Sequence, residues 1–345
     1  MSNFSNLNQY ILPTDILMDM LNTYKYLGCN KIYKEKLSNN YDVILGQTLE
    51  RDTYFLALIM GIDITDTRMR LLITKNSTPR TKDEQVVSKL KDVLFTIRKS
   101  AKLYSFNSSD LLSMINTIYG KNYATFKPDV IKGDRKKQIA SRSLRHLFDA
   151  TIDEYNLYFE KNKYEHIFLS LMNYVEITNL NAFTAGNKLI SLLALYYMIL
   201  RSDVDCFLYV SFFEIFHDYE KKFNQERINA SINYHEGYIQ LFGLTRLTFK
   251  IIEEGYKKLD QITKEYFYEE KFNKSDNVEN TIRKLPSIFT KDDIRAVHPY
   301  VSEATINRVL NKLKDDDYIR PLSKGRSARW IKTNTKKEFI DNIVD

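Results

Sequence analysis

The chain has 345 residues, 43% of them apolar and 28% charged, with 10 Gly and 6 Pro. That length supports a large core and more than one domain, and so few turn-forming residues argue against a β-rich fold. Two cysteines, Cys29 and Cys206, have neither the number nor the spacing of a disulfide framework or a zinc site, so free thiols in a reducing, cytoplasmic setting are expected.

The N-terminal "MSNFSNLNQYILPTDILMDML" has no basic region or long apolar run of the signal-peptide kind. The longest apolar stretch, 189–200, is shorter than the roughly 20 residues that span a bilayer, so no membrane partner is expected. Net charge is +7, and it is unevenly placed. Residues 281–337 hold 14 Lys/Arg against 6 Asp/Glu, while the rest holds 37 against 38. A basic segment on a near-neutral body implies a polyanion-binding module.

Most of the chain reads as helix. "PTDILMDMLNTYKYLG" offers Thr14 as a cap and Gly28 as a stop, and "NNYDVILGQTLERDTYFLALIMGID" reads as a second helix ending near Gly61. In "DEQVVSKLKDVLFTIRKSAKLY" Val86, Leu90, Val93, Leu94 and Ile97 share one helical face. "SSDLLSMINTIYG" has Ser108 or Ser109 as its cap. "YATFKPDVIKG" reads as a short hairpin or extended loop. Helices resume at "SRSLRHLFDATIDEYNLYF" and "YEHIFLSLMNYVEIT", then after a loop at 188–200, and at "FLYVSFFEIFHDYEKKFNQERINASI" and "EGYIQLFGLTRLTFKIIEEGYKKLDQITKEYF". The polar "EEKFNKSDNVEN" reads as a linker.

The last segment, 285–333, carries the most specific pattern. Thr290 caps a short helix with Ile294 and Val297, Pro299 ends it, and Ser302 caps a second helix with Ile306, Val309, Leu310 and Leu313 on one face. "YIRPL" and "ARWIKT" read as two strands around "SKGRS", where Gly325 suits a tight turn. Helix, turn, helix and basic hairpin make a winged helix-turn-helix. The second helix then presents Thr305, Asn307, Arg308, Asn311 and Lys312 for base edges in a DNA major groove. Lys324, Arg326 and Arg329 in the wing would meet phosphate or the minor groove. The other reading of these charges is a solvated face on a protein-interaction module.

The loop "NAFTAGN" before the apolar helix resembles the signature of the Fic (filamentation induced by cAMP) family, H-x-F-x-(D/E)-G-N-G-R-x-x-R, with Phe183, Gly186 and Asn187 in register. Leu208, Tyr209 and Ser211 are similar to the family's next helix start, and "EGYIQLFGL" to the Gly-aromatic helix after it. "VILGQTLERDT" resembles the N-terminal inhibitory helix of many members, with Glu50 on the inhibitory Glu and Gly46 where Ser or Thr is usual. A subset of the family carries a C-terminal winged helix.

The resemblance implies a mainly α fold: a Fic-type helical bundle with a short β-hairpin flap, plus the C-terminal winged helix-turn-helix. It implies an N-terminal helical region over 1–85 with the inhibitory-helix-like segment, a Fic-like core over 86–270, and the winged helix over 282–335. It also implies a lost reaction. Asn181 stands where the family's histidine deprotonates the target hydroxyl, and an amide cannot take that proton. Ala185 replaces the acid that holds Mg²⁺, Lys188 replaces a Gly, and Leu189 and Leu192 replace two Arg.

The expectation is a degenerate site without metal or cofactor, on a homodimeric regulator that binds double-stranded DNA. An atypical enzyme using ATP and Mg²⁺ to modify a protein hydroxyl is the alternative, and an interaction scaffold the second. Among other possible bases, His166 could face the loop; Glu176 and the 50–52 "ERD" read as surface charges.

Overall fold

The computed structural model describes residues 3–128, 143–271, 274–299, 301–322 and 328–333. The chain divides into two compact units, Met1–Asp260 and Gln261–Asp345.

The first unit is built from α1 (Thr14–Leu27), α2 (Asn30–Lys36), α3 (Tyr41–Ile59), α4 (Asp66–Lys75), α5 (Lys82–Ser100), α6 (Ser108–Tyr119), α7 (Leu144–Glu160), α8 (His166–Leu180), α9 (Asn187–Arg201), α10 (Cys206–Tyr209) and α11 (Phe212–Ala230). The start of α12 (Phe242–Lys271) completes it. Its centre is α9, in which residues 189–200 are all buried. A helix apolar on every side has no face to offer water, so it must be surrounded, and α5, α6 and α8 pack around it. Burying each Leu or Ile there contributes roughly 1.5–3 kcal/mol.

Several local expectations are corrected. Thr14 is the first helical residue and makes no capping bond; Pro13 precedes it with φ fixed for entry. Asn107, not Ser108 or Ser109, caps α6, exchanging bonds with Asp110 in a reciprocal box. The helix expected from 207 breaks at Val210, because Ser211 caps α11 by accepting from the Glu214 N–H. The polar stretch 269–280 contains most of α13 (Lys274–Lys284) rather than a linker.

In the second unit α13 is followed by β1 (Ile288–Thr290), α14 (Lys291–Val297), α15 (Glu303–Asp315), β2 (Ile319–Pro321) and β3 (Arg329–Lys332). The strands form an antiparallel sheet in the order β1-β3-β2, pairing Phe289 with Trp330 and Arg320 with Ile331. Thr290 and Ser302 cap α14 and α15 as expected. Val278 and Ile282 of α13 join Phe289, Ile294, Ile306, Val309, Leu310, Leu313, Ile319 and Trp330 in one core. Lys332 donates to the carbonyls of Arg283 (2.7 Å) and Leu285 (2.5 Å) at the end of α13, and burial lowers its pKa. Among the described residues no helix is long and apolar enough to cross a membrane.

Candidate functional site

The signature-like loop lies between α8 and α9. Asn181 ends α8 in a left-handed conformation (φ 43°) and is exposed. Residues 182–184 then run beside 125–127: the Lys127 N–H donates to Ala182 O at 2.8 Å, and the Thr184 N–H to Thr125 O at 2.9 Å. Phe126 and Phe183 form a β-bridge, with rings 4.7 Å apart, and Phe183 packs edge-on to Phe148. The extended reading of 123–128 therefore holds, while 129–133 lies outside the described residues.

The turn into α9 is closed by one side chain. Asn187 Nδ2 donates to Phe183 O (2.7 Å), and its Oδ1 accepts from the Phe183 N–H (3.1 Å). Gly186 takes φ 74°, and a Cβ there would sit 3.1 Å from Ile115 Cγ2. A side chain at 186 would thus meet both backbone strain and a neighbouring branch. Ala185 is partly buried.

Leu189 and Leu192 turn inward, while the Lys188 side chain is half exposed. Leu189 and Leu192 are 1% and 3% exposed, among the bundle core. Lys188 Nζ donates to Ile59 O (2.7 Å), the last carbonyl of α3, and to Glu220 Oε1 (3.0 Å) on α11. An ammonium at a helix C-terminus is favoured by the dipole, and Glu220 completes a three-helix tie among α3, α9 and α11. Glu50 lies on α3, 3.8 Å from Lys91; burial pushes its carboxyl upward and Lys91 opposes this. Gly46 has open space where a Cβ would project.

His166 does not reach the loop. It opens α8, about 20 Å of helix from Asn181. Its ring stacks on Phe159 at 4.0 Å, and burial lowers its pKa. Glu176 and Asp52 are also not surface charges: they are 3% and 0% exposed. Glu176 accepts from the Tyr234 hydroxyl (2.9 Å).

Asp52 is the larger miss. Its carboxylate accepts from Ser211 Oγ (2.7 Å), the Phe213 N–H (3.1 Å) and the Tyr196 hydroxyl (3.1 Å), which ties α3 to α9 and to the start of α11. Burial raises its pKa to about 6, against the pull of Arg98 and these donors. A signal was present: Ile44, Thr48, Asp52 and Leu56 follow one another at four-residue spacing, and all are buried. An acid on the inward line of a helix implies buried partners.

Two solved structures share the course of these helices. A Fic family protein from Desulfovibrio desulfuricans G20 matches with a TM-score of 0.52 at 12% identity, over 94% of this chain and 98% of its own. A Fic domain containing signaling protein from Bacteroides thetaiotaomicron VPI-5482 also gives 0.52, at 14% identity, over 71% of this chain and 98% of its own. The chain has a Fic-type fold. No family model and no curated protein matches the sequence. At this identity the Fic likeness lies in the path of the helices.

The other candidate surface is on α15. Ile306, Val309, Leu310 and Leu313 face its core, so Arg308 and Asn311 are exposed, and Thr305 and Asn307 partly so. A shallow depression runs along Ala304, Asn307, Arg308, Asn311, Lys312, Asp315 and Asp316. Lys312 leans back to Glu279 Oε2 (2.9 Å) on α13, and the Thr305 hydroxyl bonds that of Ser302 (2.9 Å). Arg283 and Lys312 together hold the Glu279 carboxyl below its usual range. Arg329 is exposed on β3, while Lys324, Gly325 and Arg326 lie outside the described residues.

Proposed function

We propose that this protein is a DNA-binding regulator built on a Fic-type body that no longer transfers nucleotide, with the second unit as a winged helix-turn-helix. The observation that carries the reading is the outward face of α15. It presents Arg308 and Asn311 on the side opposite its buried aliphatic line, in the segment that holds the chain's basic excess. Those side chains match guanine and adenine edges, respectively. The order helix, strand, two short helices and hairpin, with the last strand central, suits a module that lays α15 in a major groove.

The loss of transfer chemistry follows from residue types and from where they point. Asn181 offers no base, Ala185 no metal ligand, and Leu189 and Leu192 are core residues. Lys188 is engaged by Ile59 and Glu220.

Duplex-DNA binding by the full chain, measured across a salt series, tests the proposal. The expected result is an affinity that falls steeply with salt, with Arg308→Ala weakening a preferred site by about 1–3 kcal/mol. No affinity for duplex DNA at low salt would sink it. Incubation with labelled ATP and Mg²⁺ tests the body: no labelling is expected, and labelling abolished by Asn187→Ala would restore the enzymatic reading.

A further inference from the structure

One carboxylate ties the helix with the outward polar face to α13. Glu279 stands next to Val278, which is buried in the core of the second unit, and reaches across to α15. Its Oε1 accepts from Arg283 Nη2 at 2.7 Å, one turn further along α13, and its Oε2 accepts from Lys312 Nζ at 2.9 Å. Each oxygen therefore holds one cation. The Glu279 side chain is 17% exposed, so the bond lies at the seam between the two helices. Arg283 and Lys312 hold its carboxyl below the usual range, which keeps it charged at neutral pH.

The two cations are held differently. Arg283 is fixed a second time, with its guanidinium over the Tyr318 ring at 4.7 Å. The Lys312 side chain is 57% exposed and meets Glu279 with its tip. On α15 it follows Arg308 by one turn, so the two side chains are neighbours on the helix surface. A phosphate beside any base that Arg308 meets would be a suitable partner for an ammonium at this position, yet the charge is turned towards α13.

We infer that Glu279 masks Lys312 and thereby sets how tightly this unit holds DNA of any sequence. To meet a phosphate, Lys312 must give up the Glu279 carboxylate. That carboxylate stays close by, paired with Arg283, and repels the same phosphate. One ion pair is exchanged for another, so little is gained. Removing the charge at 279 reverses this. Lys312 then becomes an added phosphate contact, and one more condensed counterion is released on binding. The inference rests on the DNA-binding reading and concerns the part of affinity that carries no sequence information.

Binding of the full-length protein to a duplex of arbitrary sequence, measured across a salt series, tests it with Glu279→Gln, Lys312→Met and the double variant. Glutamine keeps an oxygen for Arg283, and ion pairs of this kind contribute little to stability, so melting curves should stay in place. Glu279→Gln should bind roughly three- to tenfold more tightly at low salt, with a salt slope steeper by about one. Lys312→Met alone should change neither quantity much, and in the double variant it should remove the gain. A wild type without affinity for duplex DNA would remove the DNA-binding reading and this inference together. If the wild type binds, three results overturn the inference alone. They are a Glu279→Gln variant that binds no more tightly, a gain that survives Lys312→Met, and a Lys312→Met variant whose slope is already flatter by about one. The last needs only the Lys312 variant, so it decides the matter even if Glu279→Gln fails to fold.

Discussion

The first two turns of α9 and the middle of α15 share a composition. One has Asn187, Lys188, Leu189 and Leu192; the other has Asn307, Arg308, Val309 and Asn311. On α9 the polar groups are consumed internally: the amide closes the loop on Phe183, the ammonium ties two other helices, and the aliphatic positions fill the core. On α15 the aliphatic positions also fill a core, but the Arg308 and Asn311 side chains project outward. The difference lies in direction rather than in residue type. The polar groups at the start of α9 hold its own loop and helices together, while the outer face of α15 is open to solvent.

The strongest way to break this comparison is to put a charge on the inward side of α9. Leu192→Arg places a charge at a 3% exposed position, and unfolding should show a loss of about 3–5 kcal/mol. A tolerated arginine, with an unchanged melting temperature, would mean that position 192 is not closed off by the core.

Next in size is Asp52→Ala, which strands the Ser211 hydroxyl, the Phe213 N–H and the Tyr196 hydroxyl. Denaturant titration should show about 3 kcal/mol of destabilisation, and Asp52→Asn less, since its oxygen still accepts. The two should also differ in pH response. The folded Asp52 carboxyl has its pKa raised to about 6 from 3.8. The folded state therefore binds the proton more tightly than the unfolded state between those values. Its contribution to stability is greatest below 3.8 and is lost as pH rises through 6. The wild-type stability relative to Asp52→Asn should thus improve on acidification from pH 6 to pH 4; a constant difference would contradict the assignment.

A smaller effect separates the two surfaces directly. Lys188→Met removes the tie to Ile59 and Glu220 and should cost about 1 kcal/mol in chemical denaturation, with DNA binding unchanged. Arg308→Ala should do the reverse, shifting DNA affinity and leaving the melting temperature in place. Matching behaviour of the two variants in both assays would remove the distinction.

Much of the fold was legible because periodicity and caps are local. The inward faces of α5 and α15, and the caps Thr290 and Ser302, follow from residues within a turn of each other. The short helices α2 and α4 were missed, since seven and ten residues carry little periodic signal. Long-range polar pairing was hidden for a different reason. Asp52 and Tyr196 are 144 positions apart, and nothing near either residue announces the other. Lys188 read only as a replacement for a Gly, and its carbonyl acceptor on α3 is 129 positions away. Asn187, by contrast, bonds only four residues back, which is why the turn into α9 could be read from "AFTAGN".

The order of strands in the second unit has a consequence for how the protein is made. β3 is central in the sheet yet is the last of the described strands along the chain, and it delivers Trp330 to the core and Lys332 to the end of α13, 49 positions upstream. A ribosome that has not yet released Arg329–Lys332 holds β1 and β2 with no strand between them and Phe289 without its cross-strand partner. The sheet can therefore be completed only after some seventy residues beyond the body have been made, several seconds of synthesis in which the body can collapse on its own.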